Sequence, residues 1–156
     1  MFYIGLKNFL LMKRYSDLIK EQQEVPAEDS KTVGSVFGTL LQSSVEIHKK
    51  HLMTSKYNEH KALDTFYNDM PGLVDAFIEN YQGMYGKVLD YSNVITADGK
   101  TAKEYLEELH TYLISRQDFF ETLLNGSSLS SDIDAIAGLI SSTLYQLKEL
   151  TESTCP

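Results

Sequence analysis

The sequence has no tryptophan and one cysteine, Cys155. A lone cysteine allows no disulfide within the chain and no cysteine-based zinc site, and it points to a reducing compartment or the inside of a particle. Basic residues are in deficit, 14 against 22 acidic, for a net charge of −8. That balance argues against binding nucleic acid by charge alone, although an acidic surface can attract cations. No apolar run is long enough for a bilayer. The longest candidate, residues 1–12, falls short of the roughly 20 residues a spanning helix needs. Lys7 interrupts that run and no clean cleavage site follows, so a secretory signal is not expected. Period-two alternation is also missing, so no strand is predicted.

What remains is helical. The 156 residues suffice for one domain with a good core. Residues 1–31 read as an N-terminal arm and linker. Phe2, Leu6, Leu10, Tyr15 and Ile19 would form one side of an amphipathic helix, and Pro26 breaks the polar stretch 24–31. Residues 32–152 carry four helical segments, and 153–156 form a tail.

The first segment runs from about Lys31 to Met53, with Val33, Phe37, Leu40, Leu41, Ser44, His48 and His51 or Leu52 recurring at helical spacing. Its Gly34 and Gly38 suggest close packing. Thr54 or Ser55 is expected to cap the second segment, Lys56 to Gln82. There Leu63, Phe66, Tyr67, Met70, Val74, Phe77 and Tyr81 form the apolar stripe, and Pro71 is expected to kink a single helix. Residues 83–100 read as a long connection with a short helix at 87–91. The third segment runs from Thr101 to Leu124. The fourth runs from Ser131, capped by Ser130 or Ser131, to Thr151. The prediction is an all-α, four-helix bundle with a long crossover between its second and third helices.

The chemistry lies on the second helix. At 100° per residue, taking His60 as zero, Asp64 falls near 40°, Asp75 near 60° and Glu79 near 100°, whereas the apolar stripe centres near 285°. Taken singly, these are solvated side chains on a polar face. Asp64 and Asp75 stand about 16 Å apart along the axis and cannot share a metal within one straight helix. Their positions nevertheless pair about a point between Asp69 and Met70. An antiparallel two-fold copy sets His60 against the partner copy's position 79, and Asp64 against its position 75. The dimer would hold two clusters of imidazole and carboxylate, which are common metal ligands. His48 or His51, near the end of the first helix, would complete each cluster. Elsewhere, Glu107 and His110 form one Glu-x-x-His element, but the fourth helix has no matching element. They read as a surface pair.

The spacing His48-x11-His60-x3-Asp64-x10-Asp75-x3-Glu79 resembles the ferroxidase motif of the Dps proteins (DNA-binding proteins from starved cells), a branch of the ferritin-like superfamily. The resemblance covers roughly residues 32–152. The segment HKKH…EHKALD is also similar to ferritin-like proteins encoded by bacteriophages. The family implies a ferritin-like bundle, a metal site across a two-fold interface and a twelve-subunit cage. It implies Fe(II) oxidation by oxygen or peroxide with storage of ferric iron, zinc or manganese being alternatives for the same donors. The implied ligands are His48, His60, Asp64, Asp75 and Glu79, with His51 as an extra candidate. The location implied is the cytoplasm, or a phage particle if the chain is phage-encoded. The chain departs from the family at Lys49, where a tryptophan is usual, at Met53, where a glycine is usual, and at Pro71. Strong DNA binding is not expected, because the arm mixes Lys7, Lys13, Arg14 and Lys20 with Asp17, Glu21 and Glu24 and is apolar. The alternative is a helical structural or interaction protein that kept the bundle without the catalysis.

Overall fold

The computed structural model describes residues 27–150 except 89, 93 and 124, with side chains from Lys31 onward. The predicted N-terminal amphipathic helix, most of the linker, the tail and Cys155 lie outside the described residues. The described residues are helical with no strand among them, and four long helices make the body.

Helix α1 spans Ala27–Met53, starting four residues before the predicted Lys31. Lys50 and His51 in its last turn complement the helix dipole. Val33, Val36, Phe37, Leu40 and Ile47 are fully buried. Leu41 and His48 are not core residues, contrary to the predicted stripe, because they are exposed; of the alternatives His51 and Leu52, His51 is the buried one. The buried surface of α1 is shifted to a second side, through Gly38, Thr39 and Glu46, where other backbone covers it.

Helix α2 spans Tyr57–Tyr85 without interruption through Pro71. Pro71 is exposed, so water can satisfy the carbonyl one turn earlier that lost its N–H partner. The expected side-chain cap does not form on α2. Lys56 is the N-cap, and the Thr54 hydroxyl accepts the Lys56 N–H instead. Gly86, at φ 94°, ends the helix by donating its N–H to the Gln82 carbonyl at 3.0 Å.

Residues 86–101 then run back along α1. The Asp90 carbonyl sits over Gly34 and that of Tyr91 over Gly38, where any Cβ would collide with it. Higher up, Ile95 N–H donates to Thr39 Oγ1 at 3.2 Å, and Lys50 Nζ donates to the Lys100 carbonyl at 2.6 Å. No helix forms among the described residues of 87–91. From Gly34 to Lys50 the path is about 24 Å, which the ten residues after Asp90 cover when extended but not as a helix of about 15 Å, so that stretch is extended.

Helix α3, Ala102–Ile114, starts with a reciprocal cap between Thr101 and Glu104. It stops ten residues before the predicted Leu124. Ser115 Oγ bonds the Tyr112 carbonyl at 2.7 Å and competes with the helical ladder. A short helix α4, Gln117–Thr122, follows. Asn125, at φ 63°, opens a 3-10 turn, Gly126–Leu129. That turn runs directly into helix α5, Ser130–Tyr145, so neither Ser130 nor Ser131 caps it. A π-helical turn, Gln146–Leu150, closes the described chain.

Contacts fix the directions. Asn80 bonds Asp132 and Asn58 bonds the Leu150 carbonyl, so α2 and α5 are antiparallel. Glu107 pairs with Lys148 and His110 with Ser141, so α3 and α5 are antiparallel. Ser35 bonds Tyr112 between α1 and α3. At the base of the core, Phe77 stands edge-on to Phe37 at 4.9 Å and Phe120 lies 5.1 Å from Phe77.

Candidate functional site

The turn between α1 and α2 lays the last turn of α1 against the first turns of α2. Three histidines and a tyrosine meet there. The His48 ring stacks on Tyr67 at 4.1 Å, and the His51 ring stacks on His60 at 3.7 Å. Tyr67 also stands edge-on to His51 at 5.1 Å.

His51 and His60 are tied reciprocally. His51 Nδ1 lies 3.0 Å from the His60 carbonyl, and His60 Nδ1 lies 3.3 Å from the His51 carbonyl. A carbonyl oxygen only accepts, so each Nδ1 must carry the proton, and in the neutral ring the lone pair is on Nε2. The last carbonyls of a helix have no intrahelical donor, which leaves that of His51, near the end of α1, open to the His60 ring.

Asp64 lies one turn further along α2. Tyr67 Oη donates to its Oδ1 at 2.9 Å, Lys61 Nζ donates to its Oδ2 at 3.2 Å, and Asn68 Nδ2 donates to Oδ1 at 3.3 Å. The Tyr67 and Lys61 hydrogen bonds hold the Asp64 carboxyl below the usual carboxylate range. The same bond to Asp64 raises the Tyr67 phenol, so the proton stays on the tyrosine. Asp64 therefore presents an ionised carboxylate, but one already occupied by an ammonium group.

Asp75 and Glu79 are exposed further down the same face of α2. They do not reach the histidine cluster. Because α2 is unbroken, helical rise keeps Asp64 and Asp75 about 16 Å apart. Among the described residues of one chain, no group of three histidine, cysteine, aspartate or glutamate side chains can hold a metal ion. Between the two pairs the face carries Asn68 and Pro71, both exposed. Gly72 and Ala76 are exposed, and a Cβ added at Gly72 would meet nothing. Alongside, α1 exposes Leu41 and Val45 at 44% and 50%, in one stripe with His48 and Leu52.

Sequence reasoning missed two features. The i±3 and i+4 spacing of Lys61, Tyr67 and Asn68 from Asp64 was a signal for its partners. Glu46 has the same spacing to Gln42 and Lys49, but nothing in it signals burial, and Glu46 is buried at 4% exposure. Burial would push its carboxyl up. Hydrogen bonds from Gln42, Lys49 and the Ala97 amide of the crossover overcome that and hold it low.

The Glu107–His110 element lines a cleft of ≈ 480 Å³ between α3 and α5. Its side chains are engaged across that cleft by Lys148 at 3.0 Å and Ser141 at 3.2 Å.

Residues 51–147 match a family described as being of unknown function (DUF5856). The chain belongs to this family. The matched stretch contains His51, His60, Asp64, Asp75 and Glu79, and it begins after His48. The chain is also similar to an uncharacterized 14.6 kDa protein in the mobD-ri intergenic region of Enterobacteria phage T4. The two are 26% identical over 110 residues, which is 70% of this chain and 83% of the phage protein. No solved structure matches the chain. No helix among the described residues is long and apolar enough to cross a membrane.

Proposed function

We propose that the protein is a Dps-like mini-ferritin that binds and oxidises Fe(II) at sites shared between two chains. The observation that carries this reading is the outer face of α2. His60, Asp64, Asp75 and Glu79 lie along one side of an unbroken helix, in two pairs too far apart for one chain to join. An antiparallel two-fold copy would set His60 and Asp64 of one chain against positions 79 and 75 of the other. The exposed stripe of Leu41, Val45 and Leu52 supplies apolar surface beside that face, as a self-association surface needs.

The donor set suits the substrate. Imidazole and carboxylate together bind ferrous iron, and carboxylates favour the ferric product. In this chain the His60 Nδ1 is committed to a carbonyl, which leaves Nε2 to ligate. Tyr67 keeps Asp64 ionised. Lys61 must swing away for a cation to take its place on Asp64. Asp75 and Glu79 would supply the opposite wall, and His48, at the open edge, would complete the set. The path of the chain (two antiparallel helices, an extended return and two more antiparallel helices) supports a ferritin-like bundle. Closure into a cage belongs to the same proposal. The phage T4 relative supports a phage-borne origin, with the protein acting in the infected cytoplasm or in the particle.

The test is aerobic titration of the protein with ferrous iron, following oxygen uptake and ferric absorbance. His60→Ala and Asp64→Ala should each abolish the saturable fast phase. Unchanged oxidation in both would end the ferroxidase reading. An anomalous-scattering peak between His60 and position 79 of a two-fold mate would locate the metal directly.

A second reading is favoured by the exposed apolar stripe of Leu41, Val45 and Leu52 on α1. Here the bundle is a structural or interaction protein and its exposed α1 stripe docks a partner. A protein that stays monomeric at micromolar concentration with iron present would favour it.

A further inference from the structure

Of the four histidines, only His51 is buried, at 6% exposure. It lies outside the spacing motif formed by His48, His60 and the three acidic residues. Its ring nevertheless makes the closest aromatic contact in the cluster, 3.7 Å from the His60 ring at an interplanar angle of 29°. Its Nδ1–H is spent on the His60 carbonyl at 3.0 Å. One face of the His60 ring is therefore covered and its backbone is tied, while its own Nδ1–H points at the His51 carbonyl.

We propose that His51 is a positioning residue for His60 and not itself a metal ligand. Its backbone carbonyl selects the Nδ1–H tautomer of His60, and its side chain, by stacking on the ring and tying the His60 carbonyl, holds the ring over that acceptor, so that Nε2 is the donor presented on the outer face of α2. Its contribution to metal affinity rests on the shared-site reading above. Its contribution to the tautomer does not.

Three constraints act on the His60 ring. The stack removes rotation about its outer side-chain bond, the His51 carbonyl accepts from one nitrogen only, and the His51 ring pins the backbone that carries it. A histidine ligand normally has its second nitrogen bonded to a carbonyl or carboxylate, and loss of such support typically weakens metal binding about 10- to 100-fold. In this chain the support comes from the end of the neighbouring helix. The turn at residues 54–56 thus sets the ligand as well as joining the helices.

The experiment uses the full-length chain labelled with 15N. Long-range proton–nitrogen spectra of the metal-free protein, taken where the rings are neutral, report which nitrogen of each histidine carries the proton. In the wild-type chain His60 should carry it on Nδ1. In His51→Ala the residue-51 carbonyl remains but the stack and the tie that hold the ring on it are lost, so the proton should redistribute toward Nε2, and affinity for Co(II), followed by its visible absorption, should fall about 10- to 100-fold. His51→Asn keeps a side-chain N–H and should recover part of both signals. His51→Phe keeps a ring without the donor and should recover less. If His51→Ala does not fold, the asparagine and phenylalanine variants carry the comparison. A wild-type His60 protonated on Nε2, or a His60 tautomer unmoved by every His51 variant, would overturn the assignment. If His60→Ala leaves Co(II) binding intact, the shared-site reading fails. The tautomer spectra still decide the role of His51 in that case.

Discussion

A shared site makes a prediction that a site within one chain does not, which is complementation between two inactive variants. Let one variant carry His60→Ala with Asp64→Ala, and a second carry Asp75→Ala with Glu79→Ala. In a two-fold dimer each site takes His60 and Asp64 from one chain and Asp75 and Glu79 from the other. Either homodimer then has two half-sites and no complete one. A mixed dimer is different. One of its sites receives the intact half of each chain, and the other receives both damaged halves. Equal amounts of the two variants, unfolded together in urea and refolded, give mixed dimers in about half of cases. With one working site of two in each, the mixture recovers about one quarter of wild-type metal capacity. All four side chains lie on the exposed or half-exposed face of α2, away from the fully buried Leu63, Phe66, Met70, Val74 and Phe77, so the bundle core is untouched. The assay is Co(II) or Fe(II) titration of each homodimer and of the mixture, with distinct tags to count mixed dimers. Mixed dimers that bind no more metal than the homodimers would refute the two-fold site. Undiminished binding by either homodimer would show that the pair it lacks does not ligate the metal.

Three further outcomes follow from the geometry. Lys61→Met removes the ammonium that occupies Asp64 while keeping the helix, and exposed ion pairs of this kind are weak. Co(II) affinity should rise about two- to five-fold, and a fall would show that Lys61 supports the site. Glu46→Gln should destabilise the fold by about 1–3 kcal/mol near neutral pH, because a buried charged acceptor for Gln42, Lys49 and the Ala97 amide is lost. The Glu46 carboxyl is held low in the fold, so its contribution is complete above the usual carboxylate range and disappears as pH falls through its folded value. Urea midpoints of wild type and variant should therefore converge in acid, and divergence would contradict the assigned bonds. Gly34→Ala drives a Cβ into the Asp90 carbonyl and should cost about 1–3 kcal/mol, read as a lower Tm. An unchanged Tm would mean that the crossover does not press on α1 there.

Much of the helical body was legible in the sequence because buried residues recur with the period of the helix. Leu63, Phe66, Met70, Val74, Phe77 and Tyr81 define α2 in both the sequence and the fold. The failures fall where another element decides. Leu41 fits the apolar period of α1 but stays exposed, since the crossover, lying over Gly34 and Gly38, turns the buried surface toward Glu46. The chain after Asp90 is extended because ten residues had to span the length of α1, and the helix predicted at 87–91 is absent from the described residues there. The third helix broke at Ser115, where a local side-chain bond outcompeted the ladder.

The candidate site divides along the same line. Sequence alone set which face of α2 carries His60, Asp64, Asp75 and Glu79, because angular position in a helix depends only on residue count. It also set their separation, and hence that one chain cannot join them. Only the tertiary structure decided what happens at the turn. It buried His51, crossed its Nδ1–H with the His60 carbonyl, stacked His48 on Tyr67 and put Lys61 on Asp64. Those contacts depend on how two helices lie against each other and on which rotamer each side chain then adopts. No spacing rule within one helix contains that information.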